Sequence, residues 1–337
     1  MTQKDPDPAT TIRRMVEGFQ LSQAIHVAVT LGIADLLADA SRTSDELAAA
    51  TGTHPPTLYR LLRALASVEV LHEFDGRRFE LTPLGQPLRS YVPDSIADWA
   101  ALVGRPYYWQ AWHGLMHSVR TGENAFRHVH GTDVWTYRSI RPAESAAFDR
   151  AMTSSSRRSN AALLAAYDFG RFRTIVDVGG GNGALLAAVL AAHPDAQGVL
   201  FDQPHVVSRA ASLLERAGVA SRCRTVGGNF FESVPEGADA YLLRIVIHDW
   251  DDDACIRILT VVRHALAKDS RVLIVERVLA PANEGRDAKF SDLNMLVVPG
   301  GRERTREEFA ALLEASGLRL ERVLDTGAFS VVEAAAA

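Results

Sequence analysis

From residue 174 onward the chain alternates two hydrophobic rhythms. Short, nearly unbroken apolar runs at Thr174–Val178, Gly198–Phe201, Cys223–Val226, Ala240–Val246, Arg271–Val278, Leu318–Asp325 and Phe329–Glu333 read as strands buried on both faces. Between them, Gly183–Ala192, Pro204–Ala217, Asp251–Ala267 and Thr305–Ser316 carry apolar residues at helical spacing. Strands alternating with helices imply an α/β fold, with a mostly parallel sheet covered on both faces. Ligands of such sheets sit beyond the carboxyl ends of the strands.

The first third has a different rhythm. Met1–Ala9 is polar, with Pro6 and Pro8, and reads as a flexible arm. Ile12, Met15, Val16, Phe19, Ile25, Val27, Ala28 and Leu31 then recur at helical spacing over Thr11–Leu31. Ser44-Asp45-Glu46-Leu47 reads as the capped start of a short helix that Gly52 ends. Pro55-Pro56 opens a second, Thr57–Ser67, with Leu58, Leu61, Leu62 and Leu65 on one side. Val70–Phe74 and Arg78–Leu81 flank Asp75-Gly76-Arg77 as a hairpin. Helix, turn, helix and hairpin make a winged-helix pattern, which raises DNA binding. Residues 1–90 hold nine Lys/Arg against eleven Asp/Glu, a net of −2. A DNA reader neutralises phosphates with Lys and Arg, so dimerisation or a structural lid is the expectation.

Residues 93–167 read as helical, with aromatics at Trp99, Tyr107, Tyr108, Trp109, Trp112, Phe126, Trp135, Tyr137 and Phe148. They fit ordinary core and interface filling. They equally fit the wall of a pocket for a flat, largely apolar ligand.

Composition narrows the classes. The 337 residues, 47% hydrophobic and 23% charged, suit a packed globular chain of one large or two ordinary domains. A net charge of −5 gives no general attraction to nucleic acid or anionic lipid. Cys223 and Cys255 make no disulfide framework, no Cys/His cluster has zinc spacing, and no signal or long apolar span is evident. The expected setting is cytoplasmic, with no metal, nucleic acid or membrane partner.

The candidate chemistry begins at Val176-Asp177-Val178-Gly179-Gly180-Gly181-Asn182-Gly183, a strand, a glycine turn and a helix start. Glycines reach positive φ cheaply and admit close approach to the backbone. A helix N-terminus offers unpaired N–H groups. Asp202 ends the next strand, where an acid can accept both hydroxyls of a ribose. Loop and acid alone do not separate NAD from S-adenosylmethionine. Further on, Ile247-His248-Asp249-Trp250-Asp251-Asp252 places a histidine and a tryptophan between a strand and a helix.

Taken with Phe201-Asp202-Gln203-Pro204-His205, Gly227-Gly228-Asn229-Phe230-Phe231 and Gly300-Gly301-Arg302-Glu303-Arg304-Thr305, these motifs come in an order that resembles the S-adenosylmethionine-dependent O-methyltransferases. The likeness is to the class I group shared by plant caffeate- and flavonoid-type and bacterial aromatic-polyketide enzymes, and it covers nearly the whole chain. It implies a Rossmann-like, mostly parallel seven-stranded sheet with an N-terminal winged-helix dimerisation domain. The expected divisions are 1–95 for dimerisation, 96–168 as a helical linker and substrate-pocket segment, and 169–337 for catalysis.

The resemblance also implies roles. Gly179 and Gly181 lie against the methionine part of the cofactor, Asp202 holds the ribose, Asn229 and Phe230 face the adenine, Arg244 approaches the cofactor, and Trp250 packs on the adenine. His248 is the catalytic base, flanked by Glu276 and Glu303. Asn229 replaces the family's usual Asp and carries no charge. Trp99, Met152, Asn294 and Met295 are candidate substrate contacts. A phenol, with a pKa of about 10, needs a base at neutral pH, and histidine suits the task. A carboxylate on its other nitrogen fixes the tautomer.

The competing readings are local. His248 can be structural, Glu276 a core ion pair, Glu303 part of a surface cluster with Arg302, Arg304 and Arg306, and Met295 core. The functional expectation is methyl transfer from S-adenosyl-L-methionine to a hydroxyl of an aromatic or polyketide-like molecule, leaving S-adenosyl-L-homocysteine. The protein is expected to be a homodimer. The alternatives are a cofactor-binding relative doing hydroxylation or decarboxylation, and a winged-helix regulator.

Overall fold

The computed structural model describes residues 7–337, apart from the side chains of residues 156–158. The expected arm Met1–Ala9 falls largely outside these residues. Pro8 and Ala9 already open the first helix, Pro8–Thr30, where the Asp7 carboxylate accepts from the Thr10 N–H. The chain divides into two compact units, one running to Trp109 and including Arg141–Ser155, the other comprising Gln110–Ile140 and Ser156–Ala337.

In the first unit, the helices Ser44–Thr51 and Pro55–Ala66 pack with a three-stranded sheet of β1 (Arg42–Thr43), β2 (Leu71–Phe74) and β3 (Arg78–Leu81) in the order β1-β3-β2. The two-residue β1 is too short for a periodic signal and was not expected. Gly76 and Arg77 both have positive φ, as a tight hairpin turn requires. Leu47, Leu58, Leu62, Leu65 and Phe79 form the centre of this core. On the first helix, Ile12, Met15, Val16 and Phe19 are 60%, 69%, 68% and 54% exposed. Their spacing makes one continuous apolar stripe.

The second unit is built on a seven-stranded sheet. Its strands are β4 (Thr174–Val178), β5 (Gln197–Asp202), β6 (Cys223–Gly227), β7 (Ala240–Arg244), β8 (Arg271–Glu276), β9 (Leu318–Asp325) and β10 (Ser330–Ala336), in the order β6-β5-β4-β7-β8-β10-β9. Only β10 runs against the direction of the other six strands. Successive residues feed opposite faces, as the two-residue period of a strand demands. Val176, Tyr241, Leu243, Val272 and Ile274 pack with Ile258 and Leu259 of the helix Asp252–Ala265 and with Phe309 and Leu313 of Arg306–Ala315. Ile175, Leu242, Leu273 and Val275 pack on the other face with Leu185, Leu186, Val189 and Leu190 of Ala184–Ala192.

Three expectations are corrected. The helix Pro204–Ala217 is two short helices, Pro204–Val207 and Ala211–Arg216, so that Val207, Ala210 and Leu214 all reach the core. The strand expected to run to Val246 stops at Arg244, because Ile245 turns to φ +54. A helix at Arg286–Val297 was not expected at all. Among the described residues, no helix is long and apolar enough to cross a membrane.

Candidate active site

The motif residues converge at the carboxyl ends of β4, β5, β7 and β8. The order β5-β4-β7 makes the chain switch direction beside β4, where open α/β sheets form a crevice. Gly179, Gly181 and Gly183 have φ of +70, +61 and +82, and the space around Gly181 is open. Asp202 closes the loop from β5: its carboxylate accepts from the Gly181 N–H at 2.8 Å and from the Gln203 N–H at 2.6 Å.

Below the loop, Asp177 is fully buried, and its Oδ1 makes no hydrogen bond. Burial pushes its pKa up to about 7, against the opposing pull of Arg244. The Arg244 guanidinium donates to Asn160 at 2.9 Å and to Ser159. It lies 5.3 Å from the Phe329 ring centre. Phe230, Phe231 and Trp250 meet edge to face or tilted, with centroids 4.9–6.1 Å apart. Asn229 turns inward on its own loop, accepting from the Phe231 N–H at 3.1 Å and donating to Glu232 at 2.9 Å.

His248 lies on the short turn Ile247–Asp249 that follows the strained Ile245. A β-branched residue in left-handed backbone is a true outlier, and such strain concentrates at functional sites. The imidazole is buried. Its Nδ1 lies 3.0 Å from Glu303 Oε1, which also accepts from Ser291 Oγ at 2.7 Å. Glu303 is 1% exposed, so it is not part of a surface charge cluster. Its backbone N–H donates to Asp292 at 2.9 Å. On the other side of the ring, Asp249 Oδ1 is 3.6 Å from Nε2.

Burial alone would depress the His248 pKa. The charges of Asp249, Glu303 and Glu276 outweigh that and hold it at about 9. Asp249 and Glu276 are themselves pushed up by burial, to about 6 and 7.

Glu276 does not hydrogen-bond the ring. Its Oε1 accepts three successive backbone N–H groups, from Val246, Ile247 and His248 at 3.1, 2.6 and 3.1 Å. Of the two carboxylates expected to flank the ring, Glu303 contacts it, while Glu276 bonds the backbone beneath the histidine.

The turn Gly300-Gly301-Arg302 packs directly on this backbone. A Cβ at Gly301 would lie 2.0 Å from the His248 carbonyl oxygen, which leaves room only for glycine. Asn294 and the buried Met295 lie on the helix Arg286–Val297, and Asn294 accepts from Trp112 Nε1 at 3.3 Å. Trp99, 43% exposed, and the half-buried Met152 belong to the first unit. Asp249, Ser291, Asp292 and Arg304 were absent from the candidates, although Ser291 precedes Asn294 by one helical step of three residues and so shares its face. Among the described residues, no group of three His, Cys, Asp or Glu could hold a metal ion.

Known proteins resemble this chain in sequence and fold. The model of the O-methyltransferase domain matches residues 112–319, and that of the O-methyltransferase dimerisation domain matches residues 14–89. The chain belongs to the S-adenosylmethionine-dependent O-methyltransferase family. The phenazine O-methyltransferase PhzM of Lysobacter antibioticus is 44% identical over 327 residues, 97% of this chain and 96% of that protein. The mitomycin biosynthesis 6-O-methyltransferase of Streptomyces lavendulae is 43% identical, over 94% of this chain and 91% of that one. Among solved structures, the O-methyltransferase NcsB1 from neocarzinostatin biosynthesis superposes with a TM-score of 0.82 at 33% identity, covering 94% and 96% of the two chains. That structure holds S-adenosylmethionine and 2-hydroxy-5-methyl naphthoic acid. This O-methyltransferase thus shares sequence along nearly its full length with enzymes of aromatic natural-product biosynthesis.

Proposed function

We propose that the protein transfers a methyl group from S-adenosylmethionine to a phenolic hydroxyl of a polycyclic aromatic natural product, with His248 as general base and no metal. The observation that carries this reading is the buried His248–Glu303 pair beyond the carboxyl ends of β7 and β8. With a carboxylate as its partner, Nδ1 keeps the hydrogen, and the deprotonated ring, the minority form at pH 7, presents a bare Nε2. Nε2 takes the acceptor's proton, and Glu303 and Asp249 stabilise the imidazolium that results.

The residues around the glycine loop suit the cofactor. Gly181 leaves open space for close backbone approach, Gly179 lies beside it in the same positive-φ loop, the buried Asp177 Oδ1 has no partner, and Asp202 can accept from a ribose. Phe230 and Trp250 offer ring surface for adenine, with Asn229 shaping their loop. Arg244 acts at one remove, facing Asp177 from its seat on Asn160. When bound, S-adenosylmethionine supplies an electrophilic methyl on a sulfonium. Trp112, Asn294 and Met295 of the second unit are the proposed substrate contacts. Hydroxynaphthoates and hydroxyphenazines, offered with S-adenosylmethionine and followed by mass spectrometry, test the reading. A product gaining one CH2 on oxygen supports it; a hydroxylated or decarboxylated product overturns it.

The pH profile follows from the charges around His248. Its pKa is raised to about 9, so the free enzyme is mostly protonated at pH 7, and kcat/KM is expected to climb through neutrality towards that value. Glu303→Gln removes one of the charges that raise it. The acid limb of kcat/KM is then expected at lower pH than in the parent, with a lower plateau because the imidazolium loses its partner. A limb that stays put or moves up would count against the Glu303–His248 pair.

We also infer a homodimer formed through the N-terminal stripe. Four large apolar side chains along one helix face exceed ordinary surface exposure, and such patches mark interfaces. Light scattering is expected to give twice the chain mass for the parent and a single-chain mass for Met15→Glu combined with Val16→Glu. A monomeric parent at micromolar concentration would end this inference. A dimer is also the expected use of the winged-helix unit, in place of DNA binding, and a cytoplasmic setting accords with it.

A further inference from the structure

The turn that carries His248 has two hydrogen-bonding edges. Its N–H edge converges on Glu276 Oε1. Its C=O edge is taken by Arg304, whose guanidinium is 1% exposed. One terminal nitrogen donates to the Ile247 carbonyl at 3.2 Å and to the Arg302 carbonyl at 3.3 Å. The other donates to the Trp250 carbonyl at 3.0 Å and to Cys255 Sγ at 3.4 Å. The Asp252 carboxylate holds the fork from the solvent side, at 3.0 Å from Nε and 2.7 Å from the second terminal nitrogen. The Arg304 carbonyl accepts from the Leu279 N–H at 2.9 Å, tying the fork to the chain that leaves β8.

We propose that Arg304 is the positioning residue of the catalytic turn, holding the carbonyls on either side of His248 and Asp249 so that the imidazole faces the acceptor hydroxyl. The inference rests on His248 being the base. Burying a guanidinium is costly unless every donor is engaged, and here all three nitrogens have acceptors. Two of those acceptors, Ile247 O and Trp250 O, are the carbonyls just before His248 and just after Asp249. The planar fork can bond both at once. A lysine is a point charge on a single stem and cannot reproduce that pair of directions. With Glu276 fixing one edge and Arg304 the other, the turn has no freedom to roll about its own axis. A base displaced by about 1 Å can lose roughly 100-fold in rate.

Arg304→Lys is therefore expected to lower the single-turnover rate roughly 10- to 100-fold at pH 7, with the fastest hydroxynaphthoate or hydroxyphenazine as acceptor. The deficit should shrink as pH rises towards the acceptor's own pKa, because phenolate formed in solution needs no positioned base. Combining Arg304→Lys with His248→Gln should slow the enzyme no further than His248→Gln alone, since the fork acts through that ring. Should Arg304→Lys fail to fold, Asp252→Ala makes the same comparison. It removes the half-exposed outer anchor, together with the 3.6 Å pair between Asp252 and Arg302, and is expected to cost about 3- to 10-fold, with the same pH rescue and the same non-additivity.

A rate within about twofold of the parent for Arg304→Lys overturns the proposal. So does a pH-independent deficit that adds in full to that of His248→Gln, which is the signature of a purely structural role. Slow His248→Gln with fast Arg304→Lys sinks this inference alone. Near-normal His248→Gln sinks the base reading beneath it.

Discussion

His248→Gln is expected to lower kcat by about 10²- to 10⁴-fold while leaving S-adenosylhomocysteine affinity nearly intact, the range for loss of a general base. Glutamine keeps much of the side chain's bulk and can still hydrogen-bond Glu303, so the buried acid is not stranded. It cannot take a proton. The acceptor must then reach the anionic state unaided, and at pH 7 a phenol with a pKa of about 10 is about one part in a thousand ionised. Raising pH should restore part of the rate to His248→Gln, and an intrinsically acidic acceptor should suffer a smaller loss than a simple phenol. Turnover measured at several pH values with both kinds of acceptor checks this. Near-parent kcat at neutral pH with the less acidic phenol would show that alignment alone drives transfer and that His248 is structural.

The sheet was legible because its strands are buried on both faces. Runs such as Tyr241–Leu243 and Val272–Val275 have no polar partner face to blur them, and the helices between them carry clear stripes. The motif residues at the strand ends were legible for a related reason: glycines and single acids at the ends of apolar runs stand out. What failed to show depends on long-range packing. Nothing local marks Ile245 as the residue that leaves the strand in left-handed backbone, since isoleucine is a good strand former.

Glu303, Arg304 and Arg306 look alike as a charged stretch, yet the first two are buried and point to opposite sides of one turn. Only contacts from the His248 turn, the helix Asp252–Ala265 and the helix Arg286–Val297 separate them. That helix was missed because its inward face carries Ser291 and Asn294 among apolar neighbours, so it shows little amphipathic contrast. Glu276 was legible as a carboxylate in an apolar strand but not as the acceptor of three backbone N–H groups.

Asp202→Ala is expected to weaken S-adenosylmethionine binding by about 1.5–3 kcal/mol, roughly 10- to 150-fold in Kd, with a similar loss for S-adenosylhomocysteine. The carboxylate sits at the end of β5 and already receives the Gly181 and Gln203 N–H groups. Those two bonds fix its orientation and leave lone pairs for the hydroxyls of a ribose. Charge-assisted hydrogen bonds of this kind are about twice as strong as neutral ones, and their loss also frees the Gly181 N–H that shapes the loop. Asp202→Asn separates the two contributions. The amide oxygen can still accept one N–H, so the loop should keep its shape while the charge is lost, and the variant should fall between the parent and alanine. Calorimetric titration with S-adenosylhomocysteine reads this without turnover. Because the product carries no sulfonium, equal losses for the two cofactors would place the Asp202 contact on the ribose. A loss confined to S-adenosylmethionine would instead mean that Asp202 acts as a counter-charge to the sulfonium, and unchanged affinity for both would remove it from the site.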